Sequence, residues 1–151
     1  MKQLVGGVIL LFVALVGVAS MVYAQFGIGV EIPLNPLPRL FPRLLVDYKT
    51  SDRWMLEGAI YIFPDGGVGA GVGARYFADP VKTRVGLEIK PLVGAQLFFS
   101  PPVIEPLVFA GGEYQLADTP VSFHVQTDIG LVIYPVVFVN LAAVIGARVD
   151  F

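Results

Sequence analysis

The sequence predicts an all-β fold: eight antiparallel strands joined up-and-down and closed into a transmembrane β-barrel, behind an N-terminal signal peptide. Three observations carry this. First, 56% of residues are apolar and only 15% charged, with a mean hydropathy of +0.75. Ordinary soluble chains run near 45–50% apolar and about 25% charged. Second, beyond residue 24 apolar and polar residues alternate with period two, segment after segment, as on strands with two unlike faces. Third, the charges within those segments all fall on one face, and the other face carries none. A charge-free face needs lipid or a second sheet against it, and eight strands leave no helix to cover it.

The first 24 residues read as a leader. Lys2 precedes an apolar run from Leu4 to Ala19, and Val22 and Ala24 are the small residues a signal peptidase inspects. Cleavage after Ala24 leaves 25–151 as one barrel domain. The competing reading is an uncleaved helical anchor over Leu4 to Ala24, which is just long enough to span a bilayer.

The strands follow in order. Gln25 to Ile32 sets Phe26, Ile28, Val30 and Ile32 against Gly27, Gly29 and Glu31. Four prolines make 33–42 a loop. Arg43 to Lys49 sets Leu44, Val46 and Tyr48 against Arg43, Asp47 and Lys49. Arg53 to Phe63 sets Trp54, Leu56, Ile60 and Ile62 against Glu57, Ala59 and Tyr61, and Pro64-Asp65-Gly66-Gly67 then turns the chain. Val68 to Phe77 carries Gly69, Gly71, Gly73 and Arg75 on one face. These glycines lack the Gly-x-x-Gly spacing and helix start of a phosphate cradle, and they read instead as room for large side chains across a narrow barrel.

Arg84 to Phe99 is a long run, with Glu88, Lys90, Gly94 and Gln96 on its polar face and a bulge expected at Pro91. Residues 100–106, with three prolines, read as a loop. Leu107 to Gln115 alternates weakly until Glu113. Val121 to Tyr134 alternates cleanly, with Ser122, His124, Gln126 and Asp128 together, and Pro135 leads into the last strand. That strand, Val136 to Phe151, puts Asn140, Arg148 and Asp150 on one face and ends on an aromatic of the other.

Two rival folds deserve comparison. A soluble sandwich would alternate as well, with its charges facing water. A hydropathy profile reads Ile129 to Ala147 as a helix, against which stand Asn140, the mid-run Pro135 and the wealth of Val and Ile. Spanning strands need about 9–11 residues, which most runs approach. Closure would pair every backbone donor and acceptor, as lipid requires. Aromatics near strand ends (Phe26, Tyr48, Trp54, Tyr76, Phe99, Tyr114, Phe123, Phe151) suit two interfacial girdles.

The terminal Phe151 on an apolar face, the even strand count and the one-sided charge together resemble the small eight-stranded outer-membrane β-barrels of diderm bacteria. The resemblance covers Gln25 to Phe151 and rests on pattern. It implies an outer-membrane location, contact with outer-membrane lipid, and recognition of Phe151 as an assembly signal by the barrel-assembly machinery during insertion. Family members usually carry long outer loops. With both termini periplasmic, the outer connections here are 33–42, 64–67, 100–106 and the bend at Pro135, and two of them are minimal, which speaks against adhesion.

An eight-stranded barrel is just wide enough to be filled by side chains. The inward set is Glu31, Arg43, Asp47, Lys49, Glu57, Arg75, Glu88, Lys90, Glu113, Asp128, Arg148 and Asp150. Buried charges persist when paired, so these read as a network plugging the lumen. The function expected is non-enzymatic: a structural or envelope-maintenance barrel. One alternative is a narrow channel for small solutes or ions. Another is a barrel enzyme acting on membrane lipid through Ser122 and His124, with Asp128 on the same face. Barrel-type lipid A deacylases place the His two positions before the Ser, whereas here the order is Ser122-Phe123-His124. His124 is the single histidine and there is no cysteine, so no metal site, cofactor or disulfide is expected. A net charge of −2 offers no footprint for nucleic acid.

Overall fold

A computed structural model describes residues 26–34, 42–63, 66–133 and 136–151. The expected leader, most of the 33–42 loop, Pro64-Asp65 and Pro135 lie outside the described residues. The strands are β1 (Phe26–Pro33), β2 (Arg43–Lys49), β3 (Trp54–Ile62), β4 (Val68–Phe77), β5 (Val81–Lys82), β6 (Glu88–Ser100), β7 (Val103–Gln115), β8 (Val121–Ile133) and β9 (Val137–Asp150). All pairings are antiparallel, in the order β4-β3-β2-β1-β9-β8-β7-β6, and β4 pairs with β6 to close a ring of eight. Strand β5 is a two-residue addition that pairs only with the start of β6. The chain is therefore an all-β, closed, eight-stranded up-and-down barrel, as its alternation predicts.

The helical reading of 129–147 is excluded. Residues 129–133 and 137–147 lie in the facing strands β8 and β9, in register from Val121↔Val149 to Ile133↔Val137. Among the described residues no helix is long and apolar enough to cross a membrane, which says nothing about crossing by strands.

Three local expectations are corrected. The run from Arg84 does not begin a strand. Thr83 N donates to Leu87 O at 2.8 Å and Gly86 N to Thr83 O at 3.0 Å, and Gly86 has φ 83°, a conformation glycine adopts freely. Residues 83–87 are therefore the tip of the small β5–β6 hairpin. Pro91 makes no bulge, since the β6–β7 register runs unbroken from Ile89↔Tyr114 to Ser100↔Val103. Its carbonyl accepts from Ala78 N, just past the last β4 pair at Phe77↔Leu92, so its missing N–H falls where β4 has ended. Residues 100–106 are not a loop. Only Pro101-Pro102 lie between β6 and β7, and Ser100 pairs with Val103. Pro106 sits inside β7, where the ladder to β8 skips from Ile104↔Ile133 to Leu107↔Gly130.

Side chains divide as the alternation requires. Val30, Val46, Leu56, Ile60, Val72, Leu97, Phe123, Leu131 and Leu141 stand exposed on the outer wall, while Leu45, Met55, Phe77, Leu92, Phe98, Leu107 and Phe109 are buried inside. The glycines of β4 are matched to bulk on the adjoining strand β6, not across the barrel as expected. A Cβ on Gly69 would lie 2.5 Å from Phe98 Cε2, and one on Gly71 would lie 3.2 Å from Gln96 Cδ. At the end holding the termini, Phe26 packs on Tyr48 with ring centroids 5.0 Å apart, and Trp54 on Tyr76 at 5.1 Å.

Candidate functional site

The lumen holds the chemistry. Each strand of the ring places every second side chain inside, so a carboxylate on β1 meets cations from β2 and β4 that are far away in sequence. Glu31 is the centre. Arg43 Nε donates to its Oε2. Arg75 Nη2 donates to its Oε1 at 3.0 Å, and His124 Nε2 lies 2.6 Å from that same oxygen. Glu31 and Arg75 side chains are both 0% exposed.

The network extends outward from there. Arg75 Nη2 also donates to Glu57 Oε2 at 2.6 Å, and Gln96 Nε2 donates to Glu57 Oε1 at 3.0 Å. Tyr61 OH donates to Gln96 Oε1 at 2.7 Å. Arg43 Nη2 reaches Asp128 Oδ2 at 2.7 Å, and Gln126 Nε2 reaches Asp128 Oδ1 at 2.8 Å. Charge-assisted bonds of this kind are roughly twice as strong as neutral ones.

A second cluster lies toward the termini. Arg148 Nη2 donates to Glu113 Oε1 at 3.0 Å and Nε to Asp150 Oδ1 at 2.9 Å. Lys49 pairs with Asp150 at the rim. Gly27 and Gly29 on β1 leave space for the Arg148 side chain: a Cβ on Gly27 would meet Arg148 Cδ at 3.2 Å. Each buried arginine also lies over an inward ring. Arg75 is 5.1 Å from the Phe109 centroid, Arg43 5.8 Å from Tyr61 and Arg148 5.8 Å from Phe77. A ring face attracts a desolvated cation.

Of the twelve lumen charges expected from sequence, eight are buried: Glu31, Arg43, Asp47, Glu57, Arg75, Glu113, Asp128 and Arg148. Asp150 and Lys49 are half-buried at the rim. Glu88 is exposed on the β5–β6 hairpin and Lys90 is half-buried beside it. Neither joins an ion pair among the described residues, because this part of β6 runs beyond the ring.

Asp47 is buried, and among the described residues its one ion-pair contact is a long one, to Arg148 Nε at 4.0 Å. Among the described residues neither of its oxygens has a hydrogen-bond partner, and the same holds for Arg75 Nε and Nη1, Glu113 Oε2, Ser122 Oγ, His124 Nδ1 and Gln126 Oε1. An unpaired buried polar atom costs about 1–3 kcal/mol, so this belt is where the network is least self-sufficient.

A count of charges alone misses the neutral members. Tyr61, Gln96, Gln126 and Asn140 sit on the polar faces of the alternation, and period two already singles them out. Glu105 is different: its place in a proline-rich stretch hides it, yet it lies inside β7 and accepts from Asn140 Nδ2 at 2.9 Å. It lines a small cavity of about 40 Å³ with Arg43, Tyr61, Asp128 and Asn140, at the end away from the termini.

Ser122, His124 and Asp128 share the inner face of β8 but form no triad. Ser122 and His124 are 1% and 2% exposed. Ser122 Oγ has no hydrogen-bond partner among the described residues, His124 Nε2 is taken by Glu31, and Asp128 is taken by Arg43 and Gln126. Among the described residues no three His, Cys, Asp or Glu side chains are grouped to hold a metal. At the C-terminus, Phe151 N donates to Phe26 O at 2.8 Å, joining the last residue to the first strand.

No known protein family matches the chain, and no curated protein does. A solved structure described as "De novo design of transmembrane beta-barrels" is similar over 85% of this chain and 96% of that one, with a TM-score of 0.62 and 15% identity. At that identity the likeness concerns the fold: both chains are closed β-barrels of this architecture.

Proposed function

We propose that this chain is a non-enzymatic transmembrane barrel of a diderm outer membrane, with a structural or envelope-maintenance role and a lumen plugged by its own charged network. The observation that carries the reading is the inversion of the usual protein surface. Leu56, Val72, Val108, Val125 and Leu141 face outward, while three arginines and five carboxylates are buried inside. Water would favour the opposite arrangement, whereas a hydrocarbon surround favours this one. In this reading residues 1–24 are the cleaved export signal, outer-membrane lipid is the solvent of the outer wall, and Phe151 is the signal read by the barrel-assembly machinery. The geometry of Ser122 and His124, both buried, with His124 Nε2 engaged by Glu31, supports the non-enzymatic assignment.

Two measurements test this. The full chain refolded in detergent should migrate differently in heated and unheated lanes of one gel, and should show no current steps in a planar bilayer. Identical migration sinks the membrane barrel, and discrete steps replace the plug with a narrow channel. For the assembly signal, Phe151→Ala should lower the fraction inserted in a diderm host and leave refolding in vitro unchanged. Equal insertion of both forms removes Phe151 from that role.

A further inference from the structure

The outer wall is not uniform. Across β6 to β9 it carries a groove of about 630 Å³ bordered by Ala95, Leu97, Pro106, Ile129, Leu131 and Val139. The groove has a cause in the backbone. The β7–β8 ladder skips Glu105 and Pro106, and Pro106 has no N–H with which to fill the break. The β3–β4 ladder, by contrast, runs unbroken from Trp54↔Tyr76 to Ile62↔Val68. Cross-strand register aligns the border residues in a line: Leu97↔Pro106, Ala95↔Val108, Val108↔Ile129 and Leu131↔Val139. The line crosses three inter-strand spacings, roughly 14 Å. Ala95 and Pro106 are short for outward positions, so the wall is thin there.

We propose that this groove seats one acyl chain of a membrane lipid, held as a fixed neighbour. The inference rests on the membrane-spanning reading above and goes beyond it, since a barrel in lipid need not hold any one lipid in place. The occupant follows from the chemistry of the border. All six bordering side chains are apolar, and the Gln96 amide, the one polar side chain of the lining, is held by Tyr61 and Glu57 in the lumen, so no side chain there is placed to recognise a charged or hydrogen-bonding ligand. The groove also lies within the continuous apolar wall, where the molecules at hand are hydrocarbon chains. A linear chain fits a trough that crosses four strands, and filling it restores the dispersion contacts that a gap forfeits.

Photolabelling tests the seat. The full chain is reconstituted in phosphatidylcholine vesicles containing a trace of phosphatidylcholine with a diazirine in its acyl chain, then irradiated, digested and mapped by mass spectrometry. Lipid adducts at residues 95–97, 106–108 and 129–131 should exceed those at the equally outward Leu56 and Val72 by about fivefold or more. Ala95→Phe, which fills the trough, should abolish the excess, whereas Val72→Phe should leave it intact. Even labelling around the wall overturns the seat and leaves the membrane barrel standing. Labelling at no outward residue removes the membrane reading itself, and the seat with it. Protein–protein adducts at the groove in place of lipid adducts assign it to a second copy and also overturn the proposal. If Ala95→Phe does not fold, the distribution of label on the unaltered chain decides the matter alone.

Discussion

Arg43–Glu31 and Arg53–Asp79 are both arginine–carboxylate pairs, and they have opposite meanings for the molecule. In the first, the side chains are 7% and 0% exposed, and the carboxylate also serves Arg75 and His124. In the second they are 53% and 80% exposed at the end that holds the termini. Water solvates the exposed pair whether or not it forms. It does not reach the buried one, so each member depends on the others. The contrast teaches that an ion pair in this barrel matters in proportion to how many other buried groups it serves. Distance alone does not rank them, since Arg53 and Asp79 approach to 2.7 Å.

The sharpest way to break that comparison is Glu31→Ala. It leaves Arg43, Arg75 and His124 facing one another without their shared carboxylate, and should lower unfolding stability by about 3–5 kcal/mol. Urea titration in lipid vesicles, followed by the fluorescence of the single tryptophan, Trp54, measures it. A loss near zero would show that the network is not structural. Glu31→Gln keeps the shape and one acceptor oxygen while losing the charge, and should cost less than the alanine.

Next in size is steric crowding of the lumen wall. Gly69→Val places side-chain atoms where the Phe98 ring lies and should cost about 1–3 kcal/mol. Adding Phe98→Ala should recover part of that loss, and strict additivity of the two changes in the same titration would refute the contact. Smaller still is Lys49→Met at the rim. There the lysine is 39% exposed, solvent screening applies, and the effect should stay below about 1 kcal/mol. Smallest is Asp79→Asn, for which the urea midpoint should not move; a clear shift would mean that exposure is the wrong measure of an ion pair here.

Much of this was legible in the chain as written. Period two assigns Glu31, Asp47, Glu57, Arg75, Asp128 and Arg148 to the interior and Val30, Leu56, Val72 and Ile129 to the outside, because a strand offers only two faces. It fails where prolines stand in for turns. Pro106 hid Glu105 in an expected loop, and Pro91 suggested a bulge that does not exist. At Pro91 the missing N–H falls just past the end of β4, and at Pro106 the strand runs on through a local break in the β7–β8 ladder; both depend on what the neighbouring strand does. Alternation also ran on into Arg84 to Leu87, where Gly86 turns the chain, so Glu88 was counted with a lumen it does not enter.

The sequence by itself determined the strands, their two faces and which charges must avoid the outer wall. These follow from local alternation and from the cost of exposing charge to hydrocarbon. Only the tertiary structure decided who meets whom. Glu31 touches His124 from 93 residues away, while Ser122, two places from His124, finds no hydrogen-bond partner among the described residues. Closure and register set those meetings. A shift of one strand by two residues would keep every face and change every pair, so the pattern that reveals the barrel leaves its network unspecified.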